Sequence, residues 1–134
     1  KDPSYRYAAA MAFGSTKDKN GLDSLIKLLK DPIQEVRVAA AYSIGQLNEE
    51  KAAIALMNAF EQYDTARQFL KSNSIILEAV GKVGPKATLD LLTGISTYQT
   101  TDTLLLEGQA YGIYRFALRK RSTYWFFDWL PSFV

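Results

Sequence analysis

The sequence predicts an all-α fold in which about four helical hairpins stack one after another. Two observations lead to this prediction: a motif that recurs along the chain, and apolar residues that return at helical spacing between its copies. The best preserved copy is DPIQEVRVAAAYSIGQL at residues 31–47, and a shorter copy, DPSYRYAAAMAFGS, occupies residues 2–15. Such internal similarity indicates that the chain is an array of related units.

A glycine marks the same place in each copy and defines the period of the repeat. Gly14 and Gly45 lie 31 residues apart (45 − 14), and so do Gly81 and Gly112 (112 − 81). The middle step is 36 residues (81 − 45), which places an insertion of five residues within 63–71. The sequence does not decide whether this insertion lengthens a helix or kinks it.

The expected helix starts follow from capping residues and prolines. Asp2 and Asp31 are each followed by proline, as suits an N-cap and the first helical position, and Asn48 is expected to cap the next helix. Apolar spacing predicts helices over residues 2 to about 14, 21–30, 31–47, 48–63, 64–83, 84–95 and 102 to about 119, with a polar loop at 96–101.

The helix at 31–47 has the clearest core face. Small alanines at 39–41 should let neighbouring helices approach closely, and Tyr63 on the following helix should also point inward. Arg119, Lys120 and Arg121 end the last helix, where cations interact favourably with the helix dipole. The packed stripe predicted for residues 31–47 is Val36, Ala40, Ser43, Ile44 and Leu47.

The recurring motif resembles the HEAT repeat, in particular the short HEAT-like form found in phycobilisome lyase subunits and many bacterial proteins. The resemblance covers nearly all of residues 1–121. It implies an armadillo-type α–α superhelix, a right-handed solenoid in which each unit is a pair of antiparallel helices and the second helices line the concave face. The residues that carry it are Asp31, Pro32, Val36, Arg37, the alanines 39–41 and Gly45.

The resemblance also implies a ladder of aspartate and arginine side chains that links successive units. Asp31 and Arg37 keep the family's spacing of six residues, and Arg6 stands at the arginine position of the first unit. The third and fourth units carry Asn73 and Leu104 at that position, so a continuous ladder is not expected.

The whole chain of 134 residues is expected to be one repeat domain. Its units are a partial one at 1–20 and complete ones at 21–48, 49–83 and 84–121, followed by a tail at 122–134. Because the chain opens inside a motif, we expect it to be a fragment of a longer protein.

The composition argues against several kinds of chemistry. The chain has no cysteine and no histidine, so thiolate chemistry is excluded and the commonest general base and metal ligand are missing. No catalytic motif is present, and we predict no catalytic residue, no metal site and no cofactor. No apolar run is long enough to span a membrane. We expect a soluble protein, with a cytoplasmic or a periplasmic location left open.

Outward positions on the second helices form two ladders across the units. If these helices line the concave face, the ladders are candidate binding residues for a protein or peptide, since tyrosine and methionine add contact area at low entropic cost. Alternatively, they only contact adjacent helices. The first ladder is Met11, Tyr42, Glu78 and Gln109, and the second is Tyr7, Val38, Ser74 and Leu105.

The tail at 122–134 is unusually aromatic. One interpretation is a short helix that folds back to cap the last unit, because a solenoid must cover its terminal face. The other is an aromatic surface that packs against a neighbouring domain, a second chain or a membrane interface. Its prominent residues are Tyr124, Trp125, Phe127 and Trp129.

Three functions remain open at this point. The leading one is a non-catalytic protein-interaction scaffold. The second is an accessory subunit or domain of an enzyme, resembling a phycobilin lyase subunit or an array joined to a peptidyl-prolyl isomerase domain of the same chain. The third is nucleic-acid binding, against which the net charge of only +2 and the acidic Glu78 on a ladder both count.

Overall fold

The computed structural model describes residues 2–95 and 102–120. This part of the chain is helical and contains no β-strand, which confirms the all-α prediction. Short 3₁₀ turns at Lys19–Gly21 and Glu50–Ala52 lead into the second and fourth helices. The helices are α1 (Pro3–Thr16), α2 (Leu22–Leu28), α3 (Gln34–Leu47), α4 (Ala53–Ala59), α5 (Leu70–Val83), α6 (Ala87–Gly94) and α7 (Thr103–Lys120).

The long and the short helices alternate along the chain and play different parts in the packing. The long helices α1, α3, α5 and α7 have 14 to 18 residues, and each packs against the next. The short helices α2, α4 and α6 have 7 or 8 residues, and each packs on the long helix that follows it. Each short helix therefore packs as a pair with the long helix that follows it.

The two aspartate–proline pairs begin their helices differently. Asp2 caps α1 as expected, with its carboxylate accepting a hydrogen bond of 2.8 Å from the Ser4 backbone N–H. Asp31 instead forms a turn by accepting from the Ile33 N–H at 2.9 Å, and α3 begins only at Gln34. The carboxylate of Asp31 is also bound by an arginine of the preceding unit, so it is not available to cap α3.

Asn48 was expected to start the helix after α3, and this expectation is wrong. It lies directly after α3 with φ of 55°, in the left-handed region that asparagine tolerates better than most residues. Asn48 therefore ends α3, and the chain reaches α4 only after a 3₁₀ turn.

The five-residue insertion forms part of a loop over residues 60–69, between α4 and α5, and neither lengthens nor kinks a helix. Asp64 organises the end of this loop, because its two carboxylate oxygens accept from the N–H groups of Gln68 and Phe69, each at 2.8 Å. Tyr63, expected in the core, lies in this loop and is 74% exposed.

The core lies between the row of long helices and the short helices packed on it. All five residues of the stripe predicted on α3 are buried, and Leu25, Leu56 and Leu92 of the short helices complete the interior. Core positions of α5 and α7 include Ile76, Leu77, Val80, Val83 and Leu105.

The repeated glycine lies inside each long helix, where helices cross, and not at a helix end. α1, for example, continues past Gly14 to Thr16. A Cβ at Gly81 would collide with the backbone of Gly112, so α5 and α7 approach to backbone contact. The repeated glycine therefore marks a place where two helices pack closely. This close packing also decides which residues of these helices are exposed.

Candidate protein-binding surface

Four side chains from three of the long helices meet on the exposed surface of these helices. Tyr42 of α3 is 42% exposed, and the Lys82 ammonium of α5 lies 5.4 Å from the centre of its ring. Glu78, one helical turn before Lys82, has an oxygen 3.8 Å from the Lys82 Nζ and 3.3 Å from the Arg115 Nε of α7. We call Tyr42, Glu78, Lys82 and Arg115 the tyrosine–charge cluster.

Helix geometry explains why these residues reach the surface together. Tyr42 follows the buried Ala40 by two positions, about 200° around the helix, so it points away from the core. Glu78 and Lys82 are four residues apart and share one face of α5. The cluster thus joins consecutive units with partly exposed groups: the exposed side-chain fractions are 21% for Glu78, 20% for Lys82 and 44% for Arg115.

Two members of the first predicted ladder belong to this cluster, but Gln109 does not. Its amide nitrogen donates to the carbonyls of Leu92 and Ile95, both at 2.6 Å, at the end of α6. Gln109 is half-buried and satisfies carbonyls that α6 leaves without a helical partner. Met11, the remaining member, is half-buried on α1 and packs against the core.

The second predicted ladder is exposed at one end only. Tyr7 is 44% exposed and Val38 is half-buried, whereas Ser74 and Leu105 are 8% and 6% exposed. The reason is the close approach of α5 and α7, since a Cβ at Gly108 would lie 2.6 Å from the Ser74 Cα. Ser74 and Leu105 are therefore packing residues that offer little surface to a partner.

The residues of the predicted aspartate–arginine ladder lie at junctions between units. These residues are Arg6, Asp31 and Arg37. Arg6 holds the Asp31 carboxylate through two hydrogen bonds of 2.6 and 3.1 Å, and this pairing keeps the pKa of Asp31 below its usual range. Arg37 reaches the next unit, where its Nη2 donates to the Gln68 carbonyl at 2.7 Å. It binds the carbonyl of Asp31, not its carboxylate.

Arg119 was expected to interact with the dipole of its own helix, α7. In the structure its guanidinium binds the end of the neighbouring helix α5. Its guanidinium donates to the carbonyls of Lys82, at 2.7 Å, and Gly84, where α5 ends. Burial lowers the pKa of Arg119 from its usual value. By binding the backbone at Lys82, Arg119 holds the edge of the tyrosine–charge cluster in place.

Sequence reasoning missed Lys82 and Arg115. The spacing of Glu78 and Lys82 on one helix face was the available signal for the first. The sequence held no comparable signal for Arg115, because its distance from Glu78 depends on how α7 packs against α5. The aromatic tail residues Tyr124, Trp125, Phe127 and Trp129 lie outside the described residues, as does Arg121.

Two features are absent from residues 2–95 and 102–120. No helix in these ranges is long and apolar enough to cross a membrane. Within the same ranges, no group of three or more acidic side chains is arranged to hold a metal ion.

Comparison with known proteins agrees with this architecture. A family model described as HEAT repeats matches residues 1–70, which is more than half of the 134-residue chain. The chain belongs to the HEAT-repeat family, whose members generally serve as protein-interaction scaffolds and are generally non-catalytic. No curated protein and no solved structure matches the chain.

Proposed function

We propose that this chain is a non-catalytic interaction module that binds a protein or peptide through the outward face of α3, α5 and α7. The observation that carries the proposal is the tyrosine–charge cluster, which places an aromatic ring and three charged groups from consecutive units on one surface. The five ladder residues that remain candidates are Tyr7, Met11, Val38, Tyr42 and Glu78.

The cluster has the properties of a recognition surface. Lys82 lies over the Tyr42 ring and restrains it, so a partner that packs on the ring meets a side chain that is already ordered. Glu78 lies between two cations, and the cluster therefore carries one net positive charge. A partner with an apolar or aromatic contact beside an acidic side chain is complementary to this arrangement.

The same charges favour a protein over a nucleic acid as the partner. Phosphate binding depends on several cations that face one backbone, and here Glu78 already engages both Lys82 and Arg115. A role as an accessory domain of an enzyme is compatible with the same surface, because such a domain also acts by binding a protein.

The test is affinity capture with a charge-reversed double variant, Tyr42→Ala with Glu78→Arg. Ile54→Ala is the matched control, because Ile54 is 73% exposed on the short helix α4, away from the cluster. Proteins captured by the native chain and by the control should be lost from the double variant. Circular dichroism melting should show that all three chains fold. If the double variant captures the same proteins as the control, the proposed surface is wrong.

A further inference from the structure

A cleft lies between the third and fourth units, away from the tyrosine–charge cluster. It encloses about 590 Å³. The 60–69 loop, the start of α5, the helix α6 and the start of α7 form its walls.

One residue in the cleft lining, Asn73, stands where the second unit has the arginine of the repeat. In the second unit Arg37 reaches the next unit, donating to the Gln68 carbonyl and stacking over the Phe69 ring at 4.2 Å. Its counterpart Asn73 is shorter and turns back to the loop, exchanging two hydrogen bonds of 2.9 Å with the backbone of Glu61. Asn73 thus binds the loop and holds the backbone of Glu61 at the rim of the cleft.

A buried carboxylate forms part of the cleft wall. Asp102 is 4% exposed, at the start of α7. Arg67 Nη2 lies 2.5 Å from its Oδ1, yet this oxygen accepts no hydrogen bond of normal geometry from the described residues. The Arg67 side chain is 43% exposed, so the pair is open to solvent on one side.

The rim carries negative charge that the described residues do not neutralise. Of the four carboxylates in the lining, Asp64 accepts hydrogen bonds from the backbone N–H groups of Gln68 and Phe69, and Asp102 pairs with Arg67. Glu61 and Asp90 form no ion pair with any residue in 2–95 or 102–120. One guanidinium against four carboxylates leaves a net charge of −3 (1 − 4) around the cleft.

Apolar side chains lie beside these carboxylates. Phe60 and Ile95 are half-buried in the cleft wall, and Leu91 is 51% exposed at its edge. A long cationic side chain has the matching structure, because its methylene stem covers apolar surface while its charged end stays near carboxylates. The planar guanidinium of arginine fits carboxylate pairs better than a lysine ammonium does.

We infer that this cleft binds an arginine side chain from a basic segment of a partner protein. The stem lies along Phe60 and Leu91, and the guanidinium lies between Glu61 and Asp90. This site is separate from the tyrosine–charge cluster, because it uses the starts of α5 and α7 together with α6 and the 60–69 loop.

The test uses a fluorescent hexapeptide, Ala-Leu-Arg-Ala-Leu-Arg with blocked ends, and its citrulline counterpart, which keeps the shape of each arginine but not its charge. Fluorescence anisotropy should show that the arginine peptide binds about tenfold more tightly than the citrulline peptide. Added salt should weaken the binding of the arginine peptide. Equal binding of the two peptides, or no binding of the arginine peptide, would overturn the inference.

Variants then locate the site. Glu61→Gln with Asp90→Asn should weaken binding of the arginine peptide about tenfold, whereas Asp23→Asn, a neutralised exposed carboxylate on α2, should not. Asn73→Arg should also block the cleft, with its fold checked by circular dichroism. Binding that survives the double change would place the peptide elsewhere. Tyr42→Ala should leave peptide binding unchanged, which separates this test from that of the proposed function.

Discussion

Arg6 and Asp31 join the first unit to the second through a two-point ion pair. Arg6 Nε lies 2.6 Å from one carboxylate oxygen of Asp31 and Nη2 lies 3.1 Å from the other. The Asp31 side chain is 5% exposed, and its Oδ1 also accepts from the Ile33 N–H. One carboxylate therefore orders the turn before α3 and holds α1 beside it.

Asp31→Asn should lower the melting temperature at neutral pH. The hydrogen bonds from Arg6 lower the pKa of Asp31 from its ordinary 3.8, so the ionised form is favoured in the folded state. A depressed pKa stabilises the fold above the ordinary value, and this contribution is lost as pH falls through the folded-state value. The gap between native and variant melting temperatures should therefore shrink in acid below pH 3.8.

Asp23→Asn is the control for that experiment, since Asp23 is exposed and forms no ion pair with the described residues. Other carboxylates titrate equally in both proteins and cancel in the comparison. A gap for Asp31→Asn that stayed constant from neutral to strongly acidic pH would contradict the assigned role of the ion pair.

Gly112→Ala should destabilise the contact between α5 and α7. The added Cβ would lie 3.1 Å from the Leu77 carbonyl carbon and 3.2 Å from Leu92 Cδ2, so the helices must separate. Overpacking of this kind costs about 1–3 kcal/mol. Gly94→Ala is the matched control: nothing lies within 4 Å of its Cβ, and alanine favours a helix more than glycine does. Denaturant unfolding should show a loss for Gly112→Ala only.

Arg37→Met should destabilise the junction between the second and third units. The guanidinium satisfies the carbonyls of Asp31 and Gln68 at 2.8 and 2.7 Å, and methionine keeps the bulk but not the donors. Buried acceptors left without partners cost about 1–3 kcal/mol in the free energy of unfolding. Arg115→Met, the same change on an exposed side chain, should stay within about 0.5 kcal/mol. Equal effects of the two changes in urea titrations would argue against the junction role.

Deletion of residues 122–134 should lower the melting temperature and increase binding of a hydrophobic dye. Tyr111 of α7 is 52% exposed, whereas Ile44 and Val80, at the equivalent repeat positions of α3 and α5, are fully buried. Tyr111 belongs to an exposed apolar stripe on α7 that a terminal cap would cover. The other residues of the stripe are Leu104, Tyr114 and Leu118. Replacing Tyr124, Trp125, Phe127 and Trp129 with serine should act like the deletion. A shortened chain as stable as the native one would argue for the alternative, an aromatic interaction surface.

Much of the architecture could be read from periodicity because burial is repeated in every unit. The stripe on α3 from Val36 to Leu47 was predicted correctly, since a helix that packs on two neighbours must be apolar at regular intervals. Expectations for irregular places were less accurate. Asn48 ends one helix and does not start the next, and Tyr63 is exposed, because loop geometry overrides the apolar pattern there.

The candidate binding residues were predicted less well than the core. Repeat register placed Tyr42 and Glu78 on outward positions, and the structure brings them near Lys82 and Arg115. The same register placed Ser74 on the surface, although the glycines of α7 bring that helix close enough to bury it. Assigning exposed positions from the repeat register assumes that neighbouring helices are equally far apart at every junction. In the structure this distance varies from one junction to the next.

The sequence by itself determined the all-helical class, the period of the units and the residues that form the core, because each depends on local helix geometry and repeated burial. Only the tertiary structure decided which outward side chains meet, how Arg119 binds the end of a neighbouring helix, and that Asn73 lines a cleft whereas Arg37 bridges two units. Most of these features depend on contacts between residues more than 30 positions apart, whose distances are set by the packing of whole helices.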